Sequence, residues 1–211
     1  MFITYLLIGI TVLFSLWAFN NPDVLYKCKH WPYMEARQGE HYRWLTSGFL
    51  HADYLHLFFN MFTLYIFGNA VEYWFSETIP VVGQLMYLLY YLIAIVAASS
   101  ATYFRYRNTQ GFASIGASGA VSAVLFTAIL LYPTMDLRLM FIPIPIPGFI
   151  FGILFLWFSS YAARRGGDGI DHVAHFYGAI FGFLFPLVLK PALFLGFLGQ
   201  LAGWFSALGM G

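Results

Sequence analysis

The chain has 211 residues, of which 61% are hydrophobic and only 9% charged, with a formal net charge of +1. Polar side chains could not cover a soluble domain of this composition, so it indicates an integral membrane protein in contact with a lipid bilayer. The near-neutral charge excludes a nucleic-acid partner, and the single cysteine, Cys28, can form neither an internal disulfide nor a zinc site.

Charge-poor apolar runs divide the chain at the length that membrane-spanning helices need, about 20 residues. The first, residues 2–19, lacks the basic start and small-residue cleavage site of a signal peptide, so we predict a retained first span. The others are residues 55–74, 79–104, 115–132, 148–163 and 173–189. The prediction is an all-α membrane protein whose core, residues 1–190, has six spans and a long first loop, residues 20–54.

A last apolar run, residues 192–210, follows the sixth span after only Lys190 and Pro191. Its small and polar residues share one helical face, which predicts a packing surface or an interfacial helix. These residues are Gly196, Gly199, Gln200 and Gly203. Residues 191–211 are therefore either a seventh span or a helix at the membrane surface.

Polar side chains lie at one depth in three spans that run in the same direction. His56 and Asn60 are in the second span, Ser118 in the fourth and His175 in the sixth. Asn60, Ser118 and His175 each precede the far end of their predicted span by 14 residues (60 to 74, 118 to 132, 175 to 189), about 21 Å of helix. Polar groups at a shared level inside a membrane indicate a functional site.

Ser118 differs from an ordinary serine in a membrane helix, which usually bonds to its own backbone. In GFASIGASGA it lies between Gly116 and Gly119, and these glycines let backbone and substrate approach. A helix that starts here directs free amides at a developing oxyanion. Gly116 is therefore a candidate substrate-binding position.

His175 is the favoured base for Ser118, whereas His30, His41 and His172 are interpreted as structural or interfacial. Gly178 and Gly182 follow His175 at i+3 and i+7, a small-residue face that can bring span six against span four. Ala120 and Ala123 of span four are predicted to supply the matching surface. Asp168 and Asp171 are the unfavoured candidates for a third, acidic member of the catalytic group. His175 would then accept the Ser118 proton as a dyad partner, while His56 and Asn60 donate to the oxyanion.

Taken in order, these motifs resemble the rhomboid family of intramembrane serine proteases. The motifs are EHYRWLTSGFLHADYLHLFFN, GNAVE, GASGA, IPIPIPGFIFG and GIDHVAHFYGAIFG. The resemblance implies a six-transmembrane-helix rhomboid bundle with a partly embedded first loop and an additional C-terminal apolar helix. It implies an endopeptidase that cuts transmembrane segments of protein substrates through an acyl-enzyme, without a metal or cofactor. Ser118 would be the nucleophile and His175 the base, with His56, Asn60 and the Ser118 amide at the oxyanion.

The resemblance also implies structural roles for Tyr42, Arg43 and Glu72. Two positions depart from the family pattern: Ser122 replaces an aromatic residue that stacks on the histidine in many members, and Tyr177 replaces a common glycine. Tyr177 therefore either adds bulk beside span four or turns outward to lipid. The glycine-rich residues 164–172 are expected to cap the site, and span five to admit the substrate.

The predicted orientation depends on which observation is given more weight. Eight Lys and Arg residues lie in the first, third and fifth loops and two on the other side, which favours cytoplasmic odd loops. The family resemblance favours an active site on the extracytoplasmic side of a bacterial cytoplasmic membrane, and we adopt it.

The alternative functions are a non-catalytic rhomboid-like protein that binds membrane helices and a small transporter or channel. The sequence indicates neither a specific substrate nor an oligomeric state.

Overall fold

All seven predicted apolar runs form helices in the computed structural model, which describes residues 2–139 and 142–209. Within these residues the helices are α1 Ile3–Phe19, α2 Pro22–Cys28, α3 Pro32–Gln38, α4 Arg43–Thr46, α5 Tyr54–Thr78, α6 Gly83–Tyr106, α7 Ser118–Leu131, α8 Gly148–Arg165, α9 His172–Leu189 and α10 Ala192–Ala207. By length and composition, α6 and α9 qualify as membrane-spanning helices.

Two predicted helix boundaries are wrong, the start of α7 and the end of α5. α7 begins at Ser118 rather than at residue 115, because Gly116 has φ +138° and its amide donates to the Ser47 carbonyl oxygen at 3.1 Å. This positive φ interrupts a right-handed helix and favours glycine. α5 continues to Thr78, beyond the predicted end at Trp74. Counted from the helix ends in the structure, Ser118 in α7 and His175 in α9 therefore keep nearly equal depths. Asn60 does not, because α5 ends later than predicted.

α7 is the central helix, and its residues from Gly119 to Leu130 are all buried. It packs against α5, α6, α8 and α9. The Thr127 hydroxyl donates to the Gly182 carbonyl oxygen at 2.7 Å and lies 2.7 Å from the Tyr90 hydroxyl. This bond network joins α6, α7 and α9 inside an apolar core, where each satisfied polar group avoids the cost of burial without a partner.

α7 and α9 approach until their backbones touch. A Cβ added at Gly178 would lie 2.8 Å from the carbonyl carbon and 3.1 Å from the Cα of Gly119, and one added at Gly182 would meet the backbone of Ala123. The predicted glycine face of span six is therefore confirmed. The nearest partner atoms belong to Gly119 and Ala123, which confirms Ala123 as part of the matching surface.

The first loop is folded rather than irregular. Glu35 is buried and accepts from the His30 ring, the Trp31 amide and the Trp44 indole at 2.7 to 2.8 Å. Arg43, also buried, donates to Glu40 and to two backbone carbonyl oxygens of the same loop. These contacts agree with the structural roles expected for His30 and Arg43.

One further expectation is corrected by the structure. The proline-rich segment before α8 is an antiparallel hairpin of β1 Asp136–Leu139 and β2 Ile142–Pro147, so the fold is not purely helical. Proline is tolerated because each strand of a two-stranded hairpin is an edge strand.

The face of α10 that carries the small and polar residues makes one polar contact with the bundle. Gln200 donates to the Leu131 carbonyl oxygen at 3.1 Å, whereas a Cβ on Gly196, Gly199 or Gly203 would meet nothing within 4 Å. Aromatic contacts also attach α10, including Phe183 with Phe197 at 5.5 Å.

Glu72 links the end of α5 to the start of α1. Its carboxylate accepts from the amides of Phe2, Ile3 and Thr4 and from the Thr4 hydroxyl at 2.7 to 3.0 Å. The free amides at a helix start attract a negative charge, which accounts for a fully buried carboxylate here. The contact has the structural character that the resemblance implied.

Candidate active site

The four side chains singled out in the sequence line one open cavity of about 890 Å³. Ser118 comes from α7, His175 from α9, and His56 and Asn60 from α5. Residues of α8 and of the loop before α9 complete the wall, including Phe155 and Asp171. The structure therefore brings together the residues that the sequence predicted at one level.

Ser118 is the first residue of α7, so the amides of Ser118, Gly119 and Ala120 have no acceptor within the helix. Gly116 keeps this approach open, because a Cβ there would lie 2.9 Å from His56 Nε2 and 3.7 Å from Ser118 Oγ. The His56 ring and the Ser118 hydroxyl thus converge on one point above Gly116. Donors at a helix start beside a serine hydroxyl form the arrangement that stabilises an oxyanion.

His175 lies beside Ser118 because of the contact between α7 and α9. The position of a Cβ on Gly119 is 3.7 Å from the Cβ of Ala174, the residue before His175. Within residues 2–139 and 142–209, neither the Ser118 hydroxyl nor the His175 ring nitrogens make a hydrogen bond. Catalytic hydrogen bonds often tighten only when substrate is bound. The geometry therefore provides proximity without a preformed Ser-His bond.

Asn60 and the two acids of the last odd loop have defined partners. Asn60 donates one amide hydrogen to the His56 carbonyl oxygen at 3.0 Å and retains a second donor. Asp171 caps α9 and accepts from the hydroxyls of Thr102 and Ser114 at 2.9 and 2.8 Å. Among the described residues, neither Asp171 nor Asp168 is hydrogen-bonded to the His175 ring.

A family model for the Rhomboid domain matches residues 38–192, a range that includes all four of these side chains. The chain belongs to the rhomboid family. Its membership agrees with an integral membrane protein that is mainly helical.

Curated relatives of this rhomboid family member occur in organelles and in bacteria. It is 28% identical over 151 residues to RHOMBOID-like protein 12, mitochondrial, of Arabidopsis thaliana, covering 68% of this chain and 45% of the relative. It is 31% identical over 103 residues to Rhomboid protease GlpG of Haemophilus influenzae, covering 49% and 47%. It is 27% identical over 203 residues to Rhomboid protein 1, mitochondrial, of Saccharomyces cerevisiae, covering 90% and 54%. The chain thus spans about half the length of these relatives.

Behind the catalytic candidates of this rhomboid protein lies a histidine that the sequence reasoning missed. His51 is fully buried; its Nδ1 lies 3.0 Å from the Ser15 hydroxyl, and its Nε2 accepts from the Ala117 amide at 3.4 Å. Burial lowers the pKa of His51 to about 3, with the neighbouring His56 contributing in the same direction. A neutral ring can donate at one nitrogen and accept at the other. His51 therefore supports the peptide unit that precedes Ser118.

The loop that precedes α9 is attached to this helix through one histidine. His172 Nε2 lies 2.8 Å from Asp168 Oδ2, and this hydrogen bond lowers the pKa of Asp168 below its usual range. Gly166, Gly167 and Gly169 in the same loop have positive φ values. Among the described residues of this rhomboid protein, no three His, Cys, Asp or Glu side chains are grouped so that they could hold a metal ion.

Proposed function

We propose that the chain is an intramembrane serine endopeptidase that hydrolyses peptide bonds in or near transmembrane segments of other membrane proteins. The observation that carries the proposal is the shared cavity, in which Ser118 at the start of α7 faces groups from α5 and α9. Membership in the rhomboid family and the likeness to a relative named Rhomboid protease GlpG support the same activity.

In the proposed mechanism Ser118 attacks the scissile carbonyl and His175 accepts its proton. The Ser118 amide, the His56 ring and the free amide hydrogen of Asn60 donate to the tetrahedral oxyanion. The C–N bond then breaks as His175 protonates the leaving amine, which leaves an acyl-enzyme on Ser118. His175 next removes a proton from water, which attacks the ester carbonyl. The bond between the acyl carbon and Ser118 Oγ then breaks, His175 returns the proton to Ser118, and the second product is released as a carboxylic acid.

The proposed architecture has six membrane spans, formed by α1, α5, α6, α7, α8 and α9, with α10 as an addition. Water would reach Ser118 from the side of the odd loops, where the cavity is bounded by residues of the first loop and of residues 168–171. We place this side outside the cytoplasm. The curated relatives are divided between organelles and a bacterium, so they lend no support to the expected bacterial membrane in particular.

The activity is tested with purified protein, a fluorophosphonate probe and a model transmembrane substrate. We expect wild-type protein to be labelled and to cleave the substrate, and Ser118→Ala to lose both, because the nucleophilic hydroxyl is gone. Removal of an activated nucleophile typically lowers the rate by about 10⁴-fold or more.

Ser122→Ala is the matched control, since it removes a hydroxyl one turn later in α7. It should keep labelling and cleavage close to wild type. Labelling that persists in Ser118→Ala would contradict the assignment of Ser118. The absence of labelling and cleavage in folded wild-type protein would favour the non-catalytic alternative.

A further inference from the structure

The orientation of the His175 ring has no polar explanation. Its ring nitrogens have no hydrogen-bond partner among residues 2–139 and 142–209, and the nearby acids are engaged elsewhere, Asp168 with His172 and Asp171 with Thr102 and Ser114. A general base must present one nitrogen to the nucleophile in a defined direction. In this chain another kind of contact has to provide that direction.

Two rings face the imidazole of His175. Phe155 of α8 has its ring centroid 6.2 Å away at an interplanar angle of 33°, and His172 lies 5.6 Å away at 85°. One neighbour is thus inclined towards the plane of the imidazole and the other is perpendicular to it. Aromatic pairs at these separations have preferred relative orientations. Together they restrict rotation of the ring.

Phe155 is itself held from the opposite side. Phe126 of α7 is buried, and its ring lies 5.5 Å from that of Phe155 at 56°. A row of neighbouring rings therefore runs from Phe126 in α7, the helix of the nucleophile, through Phe155 in α8 to His175, the base. Ser122, which lies one turn after Ser118 in α7, offers no ring for this purpose.

We propose that Phe155 is a positioning residue for His175, and this inference rests on the proposed function. It acts through the imidazole: its ring keeps a nitrogen of His175 directed towards Ser118 in the absence of an orienting carboxylate. Removing the ring while keeping the bulk should leave the base free to rotate, which lowers the fraction of molecules that are ready for proton transfer.

The consequence is that the base is positioned by a helix that has few large residues in the core. The buried residues of α8 are all small: Gly148, Gly152, Ser159 and Ala162. Large side chains of the same helix, such as Trp157 and Tyr161, are exposed. The ring that orients His175 thus belongs to a helix attached through few large buried contacts.

The test compares Phe155→Leu and Phe155→Met, which keep apolar bulk without a ring, with Phe155→Tyr, which keeps the ring. A small fluorophosphonate probe reports the Ser118-His175 pair without requiring the transmembrane substrate. We expect both ring-free variants to lower the labelling rate and kcat by about tenfold with KM within about twofold of wild type. Phe155→Tyr should remain within about threefold of wild type in labelling.

Phe149→Leu is the control, because it removes a ring of α8 that packs against Trp204 of α10, with centroids 5.3 Å apart, and lies outside the cavity. It should label at the wild-type rate, and thermal midpoints measured in detergent identify any variant that is not folded. The inference is overturned if both ring-free variants label like wild type, if only KM changes, or if Phe149→Leu loses labelling equally. Failure of wild-type labelling would instead contradict the proposed function.

Discussion

At the residue scale, the least expected contribution is that of His51. A neutral imidazole joins the first span to the backbone of the nucleophile, since Ser15 belongs to α1 and Ala117 precedes Ser118. The Ser15 hydroxyl also lies 3.1 Å from the Phe49 carbonyl oxygen, so Ser15 can donate to Phe49 while it accepts from His51. Protonation would place a hydrogen on Nε2 and leave the Ala117 amide without its acceptor, and removal of the ring would cost both partners a buried hydrogen bond.

This arrangement predicts an acid-sensitive stability. The folded pKa of His51 is about 3 against an ordinary 6.5, so the unfolded chain binds the proton more readily between these values. The contribution of neutral His51 to the free energy of unfolding is complete above about pH 6.5. Below that pH it falls by about 1.4 kcal/mol per pH unit. Thermal midpoints of wild type between pH 7 and 5 should decline more steeply than those of His51→Gln, which has no titratable ring.

The control for His51 is an exposed histidine of the same loop region. His41→Gln should keep the wild-type slope of midpoint against pH, because His41 is exposed. Parallel slopes for wild type and His51→Gln would show that the protonation of His51 is not linked to unfolding.

At the element scale, the contact between α7 and α9 places the base beside the nucleophile. The small residues Gly119 and Gly178 leave no space between the two backbones, so the start of α7, which carries Ser118, lies against the first turns of α9, which carry His175. Close packing of this kind is the usual role of small residues at helix interfaces in membranes.

Gly178→Ala should therefore destabilise the protein by about 1 to 3 kcal/mol, the usual range for overpacking, and reduce labelling. The added methyl would meet backbone atoms of Gly119, which cannot move aside without separating the helices. The measurement is the temperature at which half the labelling is lost. Gly199→Ala in α10 is the control, because nothing lies within 4 Å of its Cβ position, and a midpoint for Gly178→Ala equal to this control would contradict the argument.

Sequence reasoning succeeded where a pattern lies within one helix and failed where two distant segments meet. The apolar runs, the start of α8 at Gly148 and the glycine face of α9 follow from local spacing. Phe155 and His51 were missed, because their roles depend on which helix lies opposite them. In α10 the spacing likewise did not identify a partner, because a small-residue face permits packing but does not specify what packs against it.

At the scale of the whole molecule, the folded first loop bears on the conflict over orientation. Arg43 is buried with carbonyl oxygens of its own loop, and Arg37 donates to the Arg107 carbonyl oxygen and lies 3.6 Å from the centre of the Tyr33 ring. Arg105 donates to the Ala163 carbonyl oxygen. These cations hold the loops of one face together. Three of the eight cations on this face therefore have a structural explanation that is independent of the charge bias of cytoplasmic loops.

With these cations assigned to structure, we expect the odd loops to lie outside the cytoplasm and residue 190 to lie inside. Alkaline phosphatase, which is active only outside the cytoplasm, is inserted between Lys190 and Pro191 and, in a second protein, between Gly166 and Gly167. The insertion after Lys190 should be inactive and the one after Gly166 active in bacterial cells. The reverse pattern would place the cavity on the cytoplasmic side, as the Lys and Arg count favours. Activity at both sites would contradict the six-span arrangement, because α9 would then not cross the membrane.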